Sequence, residues 1–124
     1  MIGYVTIGAA DVEAAMPFYD AVFEAMGGAR MFFSGGWAGY GKDGEDANVF
    51  ICPPFEGSAV AGNGIMVALK ADTVDQVKAA HAAGLGAGGK NEGAPGPRPE
   101  GSTDFYGAYL RDLTGNKLCV FCKP

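Results

Sequence analysis

Phe105-Tyr-Gly-Ala-Tyr-Leu-Arg-Asp-Leu-Thr-Gly-Asn-Lys-Leu118 is the stretch that decides the fold. The runs Phe105–Arg111 and Lys117–Phe121 carry the apolar and aromatic residues of strands. Between them Asp112-Leu-Thr-Gly-Asn reads as a turn. Gly115 and Asn116 tolerate positive φ, and Asp112 can bond back to the turn backbone. That gives Asp112 a structural duty and no catalytic one.

Working outward from this hairpin, one short plan is written twice, about sixty residues apart. The strand Tyr4–Gly8 runs into Ala10-Asp11, a helix, and Gly27-Gly28. The strand Ile65–Leu69 runs into Ala71-Asp72, a second helix, and Gly88-Gly89. In the first helix Asp11 is the cap, and Val12, Ala15, Met16, Tyr19, Val22, Phe23 and Met26 form one apolar face. In the second, Asp72 or Thr73 caps, and Val74, Val77, Ala80 and Leu85 supply the buried stripe. Three strands are expected after the first helix, around Arg30–Ser34, Trp37–Lys42 and Asn48–Cys52. Pro53 to Asn63 is a crossing segment, and Gly86 to Asp104, rich in Gly and Pro, reads as loop. The expectation is a single domain over 1–124, with one module at 1–54 and another at 63–124.

Composition narrows the function classes. The 124 residues are 48% apolar and 19% charged, enough to bury a proper core. No apolar run reaches the ~20 residues of a membrane span, and Met1 leads straight into a strand rather than a signal peptide. A cytoplasmic protein is expected. Nine Lys and Arg against fourteen Asp and Glu give a net charge of −5, with the cations scattered, so neither nucleic acid nor a membrane is an expected partner. Cys52, Cys119 and Cys122 make an odd count that fits reduced thiols better than a disulfide framework. Cys119 and Cys122 resemble a redox or zinc pair, but positions three apart on a strand point to opposite faces.

The same alternation sorts the other strands. Tyr4, Thr6, Met66, Ala68, Cys119 and Phe121 share one side, a mixture that suits either a ligand cavity or an under-filled core. Val5, Ile7, Val67, Leu69, Leu118 and Val120 share the other, which should meet the helices. Trp37, Tyr40, Phe50, Tyr106 and Tyr109 are candidates to line the first space or to fill a sheet core. His81, the sole histidine, falls among alanines on the second helix and is expected to be partly exposed.

The closing hairpin, the opening Met1-Ile-Gly-Tyr-Val-Thr-Ile-Gly8, Asp11 and the helical Pro17-Phe-Tyr-Asp20 together resemble the vicinal oxygen chelate superfamily. That group includes glyoxalases, bleomycin-resistance proteins and extradiol dioxygenases, and the resemblance spans nearly the whole chain. It implies an α+β fold: two βαβββ modules forming a cup-shaped, partly open mixed β-sheet barrel with helices packed outside, commonly in homodimers. The Gly- and Pro-rich segment from Gly93 to Thr103 resembles the loop that covers the cup's mouth in relatives. Arg98 is its only cation, able to clamp a carboxylate or phosphate or to sit as a plain surface Arg.

Relatives with a catalytic metal carry His, Gln or Glu at inward strand positions. Here the resemblance puts Tyr4, Met66 (or Ile65) and Cys119 at those positions, and Val49-Phe-Ile-Cys52 on the fourth strand. No divalent metal site and no cofactor are therefore expected. The implied function is a glyoxalase/bleomycin-resistance-like protein binding a small organic molecule in a cup between the modules. Tyr4, Met66, Arg98, Tyr106, Tyr109, Cys119 and Phe121 are the candidate ligand-binding residues. Were it an enzyme, it would be a lyase or isomerase using Tyr4, Cys119 or Tyr106, more readily than a metal-dependent dioxygenase. The alternatives are a non-catalytic module that sequesters a drug or metabolite, and a degenerate dimerisation domain with a filled cavity.

Overall fold

The computed structural model describes all residues from 1 to 124. The element order is β1 (Val5–Gly8), α1 (Val12–Ala25), β2 (Gly28–Ser34), β3 (Trp37–Lys42) and β4 (Val49–Cys52), then β5 (Val67–Lys70), α2 (Val74–Gly86), β6 (Lys90–Pro97), β7 (Tyr106–Arg111) and β8 (Lys117–Cys122). This is βαβββ twice, an α+β fold. The first sheet runs β1-β4-β3-β2 and the second β5-β8-β7-β6. In each, the strand before the helix lies parallel to the last strand, and the remaining pairs are antiparallel. No strand pair joins the two sheets, so the barrel is open rather than closed.

Local chemistry fixes both helix starts. The Asp11 carboxylate accepts the Ala14 N–H at 3.1 Å, and the Thr73 hydroxyl accepts the Gln76 N–H at 3.1 Å. Thr73 is thus the cap of α2. The Gln76 side chain reaches back to the Asp72 N–H, giving the turn a reciprocal pair of bonds.

Residues 90 to 97 form strand β6 rather than the loop expected from their Gly and Pro content. β6 is an edge strand bonded only to β7, so Pro95 and Pro97 need no ladder N–H on its free side. Register shifts between Asn91 and Gly93 and between Gly93 and Gly96 absorb the irregular composition. His81 is also corrected, being buried rather than partly exposed. Its Nε2 lies 3.0 Å from the Asn91 Oδ1, which ties α2 to β6.

Each helix covers one face of its own sheet, and the two helices pack against each other. The helix-facing side chains are those expected: Ile7, Leu69, Leu118 and Val120 join the core, with Val5 and Val67 packed against it. One cluster of 21 buried residues draws on both modules, so neither has a core of its own. A polar latch reinforces the junction. The Tyr19 hydroxyl on α1 donates to the buried carboxylate of Asp112, at the end of β7. Asn116 donates from its side chain to that carboxylate at 3.0 Å and to the Gly8 carbonyl at 2.9 Å. The other Asp112 oxygen accepts the N–H groups of Thr114, Gly115 and Asn116 at 2.8 to 3.0 Å. No helix is long and apolar enough to cross a membrane.

Candidate functional site

With the helices on one face of each sheet, the other face of each is left uncovered. On the first sheet, strand alternation puts Phe50 at the middle of that open face, paired in register with Thr6 and Gly39. Its ring centroid lies 5.3 Å from that of Tyr4, 6.0 Å from Phe32 and 6.0 Å from Trp37. Tyr4 is 62% and Trp37 39% exposed, a large amount of unclothed aromatic surface.

The second sheet repeats this device. Phe121 takes the place of Phe50, paired with Lys70 and Gly107, and its ring stacks on Phe105 with centroids 5.1 Å apart. In both sheets an aromatic ring lies across a glycine. A Cβ on Gly39 would come 2.3 Å from the Phe32 ring, and one on Gly107 would come 2.7 Å from the Phe105 ring. Any larger residue there would push the ring off the sheet.

The second face differs from the first in its polar groups. Tyr109 and Cys119 stand opposite each other across β7 and β8. The Arg98 guanidinium lies 5.5 Å and the Lys117 ammonium 5.7 Å from the Tyr109 ring centroid. Arg98 is held by donating to the carbonyls of Ala94 (2.7 Å) and Pro97 (3.1 Å). Burial pushes the Cys119 thiol above its ordinary pKa, an effect partly offset by the Tyr109 hydroxyl, Arg98 and Lys117. Burial likewise raises the Tyr109 phenol. Both groups are thus held in their neutral forms near neutral pH.

The structure brings together Arg98, Tyr109, Cys119 and Phe121 on this one face. It does not add Tyr106, expected in the same space: three positions from Tyr109 on one strand, it faces the helices and packs against the core. Tyr40 is fully buried among core residues, its hydroxyl donating to Asp20 at 2.7 Å. Met66 flanks that face beside Lys117 and Arg111, whereas Tyr4 belongs to the open face of the first sheet, and both also line a groove of about 580 Å³ between β1 and β5. Val5, Phe23, Met26 and Val67 are among its apolar lining. Lys117 and the Phe32–Trp37–Phe50 group are the site residues that sequence reasoning passed over or left ambiguous. The signal available for Lys117 was its period-two relation to Cys119 and Phe121.

The donor set on these faces does not fit a divalent ion. Nowhere in the chain do three His, Cys, Asp or Glu side chains converge. A phenol, a thioether and a protonated thiol are not the imidazole and carboxylate ligands such an ion takes. Cys119 and Cys122 do point to opposite faces, Cys122 lying in the core. Burial raises the pKa of all three thiols, which lowers their thiolate fraction at neutral pH. The folded protein is therefore expected to react slowly with a disulfide reagent such as dithiobisnitrobenzoate. It should release thionitrobenzoate from three thiols only after denaturation, and a fast native phase from any of them would contradict this.

Comparison with known proteins adds three findings. Residues 1–120 match the model of the Glyoxalase/Bleomycin resistance protein/Dioxygenase superfamily. A solved glyoxalase/bleomycin resistance protein from Albidiferax ferrireducens is 32% identical over 98% of each chain, with a TM-score of 0.87. A glyoxalase-related enzyme from Fulvimarina pelagi is 20% identical, with a TM-score of 0.74 over 100% of this chain and 88% of that one, a likeness of fold. No curated protein matches the chain.

Proposed function

Since the chain belongs to the Glyoxalase/Bleomycin resistance protein/Dioxygenase superfamily, we propose that it binds a small, flat organic molecule in a cup completed by a second copy of itself. The observation that carries this reading is the pair of uncovered aromatic faces. A single chain turns its helices inward upon each other and leaves both faces without a wall opposite. In a two-fold dimer, the Phe50 face of one copy meets the Phe121 face of the other, and the same contact occurs twice. A flat ligand between them is stacked from both sides.

The geometry supports holding the molecule more than transforming it. A general base must ionise near the working pH, whereas Tyr109 and Cys119 are both pushed upward, away from ionisation. His81 is occupied with Asn91 between α2 and β6. Sequestration without turnover is therefore the reading preferred over a lyase or isomerase.

Complementation between two damaged chains tests the shared cup. The probe is 4-hydroxybiphenyl, and its binding is followed by calorimetry. Trp37→Leu and Phe121→Ala, each alone, are expected to weaken binding about 10-fold, as stacking losses of ~1–3 kcal/mol imply. Mixed and allowed to exchange, the two variants form heterodimers in which one cup carries both lesions and the other none. About a quarter of all cups should then regain tight binding. Absence of recovery in a mixture shown to contain heterodimers would place the ligand within one chain and sink the proposal, as would a purely monomeric protein.

A further inference from the structure

Charge is distributed over the two open faces very unevenly. The Phe50 face presents Tyr4, Thr6, Phe32, Trp37 and Phe50, none of them a Lys, Arg, Asp or Glu. The Phe121 face carries Arg98, Lys117, Arg111 and, at its edge, Lys70 around Tyr109, Cys119 and Phe121, in a protein whose net charge is −5. Glu92, beside them, is bonded to the Arg111 guanidinium. That ion pair, with the nearby Lys117, holds the Glu92 carboxyl below its usual range. Arg98 and Lys117 have no carboxylate within ion-pair distance, since the chain's two ion pairs are Arg111–Glu92 and Arg30–Asp20. Two unneutralised cations thus lie over one phenol ring, beside stacked phenylalanines.

Both cations stand beside the same ring, and an anion seated there is attracted to each of them. Arg98 spends two N–H donors on backbone carbonyls, which fixes its orientation and leaves other donors free. Lys117, 5.7 Å from the same ring centroid, supplies a second, point-like charge. The phenol and thiol between them remain neutral and so add no competing negative charge.

We infer that the cup is selective for aromatic carboxylates, with Arg98 and Lys117 seating the carboxylate and Phe121, Phe105 and the partner's Phe50 face taking the ring. This rests on the two-copy cup proposed above and adds the class of ligand and a specificity role for Lys117. The ring is recognised by area and stacking, the charge by two cations already oriented, so the two contributions are separable.

Three biphenyl probes of nearly equal shape make that separation, titrated calorimetrically into the dimeric protein. Biphenyl-4-carboxylate is expected to bind at least about 10-fold more tightly than biphenyl-4-carboxamide, and biphenyl-4-methylamine more weakly than either. The carboxylate's advantage should shrink as salt is raised. Arg98→Met and Lys117→Met should each reduce the carboxylate-to-amide ratio, and the double variant should bring it to about one. Equal affinity for carboxylate and amide, or a ratio that survives in the double variant, would overturn the carboxylate seat and leave the cup standing. Failure of all three probes to bind would overturn the cup and the seat together.

Discussion

Replacing Asp112 with alanine is expected to lower stability by about 2–4 kcal/mol, the size expected when a buried acceptor is lost and its donors are left without a partner. Five donors lose their acceptor: the Tyr19 hydroxyl, the Asn116 side chain and three turn N–H groups. The turn N–H groups are partly exposed and can take water. Tyr19 cannot, because it is fully buried, and a stranded buried donor costs about 1–3 kcal/mol. Tyr19→Phe removes the donor and leaves the carboxylate its other partners, so about 1.5–3 kcal/mol is expected, the range for a bond to a charged group. Asp112→Asn keeps the volume but turns part of the acceptor into a donor, and should fall between wild type and Asp112→Ala. Urea midpoints at unchanged m-value measure all three. A loss below about 1 kcal/mol for Asp112→Ala would show that the latch does not hold the modules together.

Phe18→Ala should be comparably costly, at about 3–5 kcal/mol, and lower the melting temperature by roughly 10–20 °C. Phe18 is wholly buried on the face of α1 that meets α2, with its ring close to Gly84 and Gly89. Its neighbour Tyr19 packs edge-on at 4.9 Å between centroids. The void left by alanine opens where the two modules share their core, and β strands on both sides limit how far it can collapse. Phe18→Leu fills most of that space and should cost about 1–1.5 kcal/mol. Denaturation followed by far-ultraviolet circular dichroism and by Trp37 fluorescence should give coincident curves for every variant, because both modules melt as one. If Phe18→Ala unfolded in two separated steps, the common core would be refuted.

How much of this was legible in the sequence depends on how local the deciding physics was. Period two along β1, β5 and β8 correctly divided Ile7, Leu69 and Val120 from Thr6, Ala68 and Cys119, because each strand has one greasy side. The same rule, carried to β7, separates Tyr106 from Tyr109, which grouping by aromatic type did not. β6 escaped because Gly and Pro argue against strand, and only its edge position makes that composition tolerable. His81 looked exposed among alanines, since its partner Asn91 is contributed by that unread strand. The family resemblance located Tyr4, Met66 and Cys119 on strand positions of one chain. It could not say that a single chain sets Tyr4 on one sheet apart from Met66 and Cys119 on the other, because helix-to-helix packing decides that.

The Tyr19–Asp112 bond links positions 93 residues apart, and this has a cost during synthesis. A ribosome delivers α1 well before α2 and the final hairpin exist. Phe18 and Val22 are therefore bare on a nascent chain for several seconds, at elongation rates of about 5–20 residues per second. Trigger-factor-type holdases would find their target on that helix, and strains lacking them should accumulate this protein in inclusion bodies.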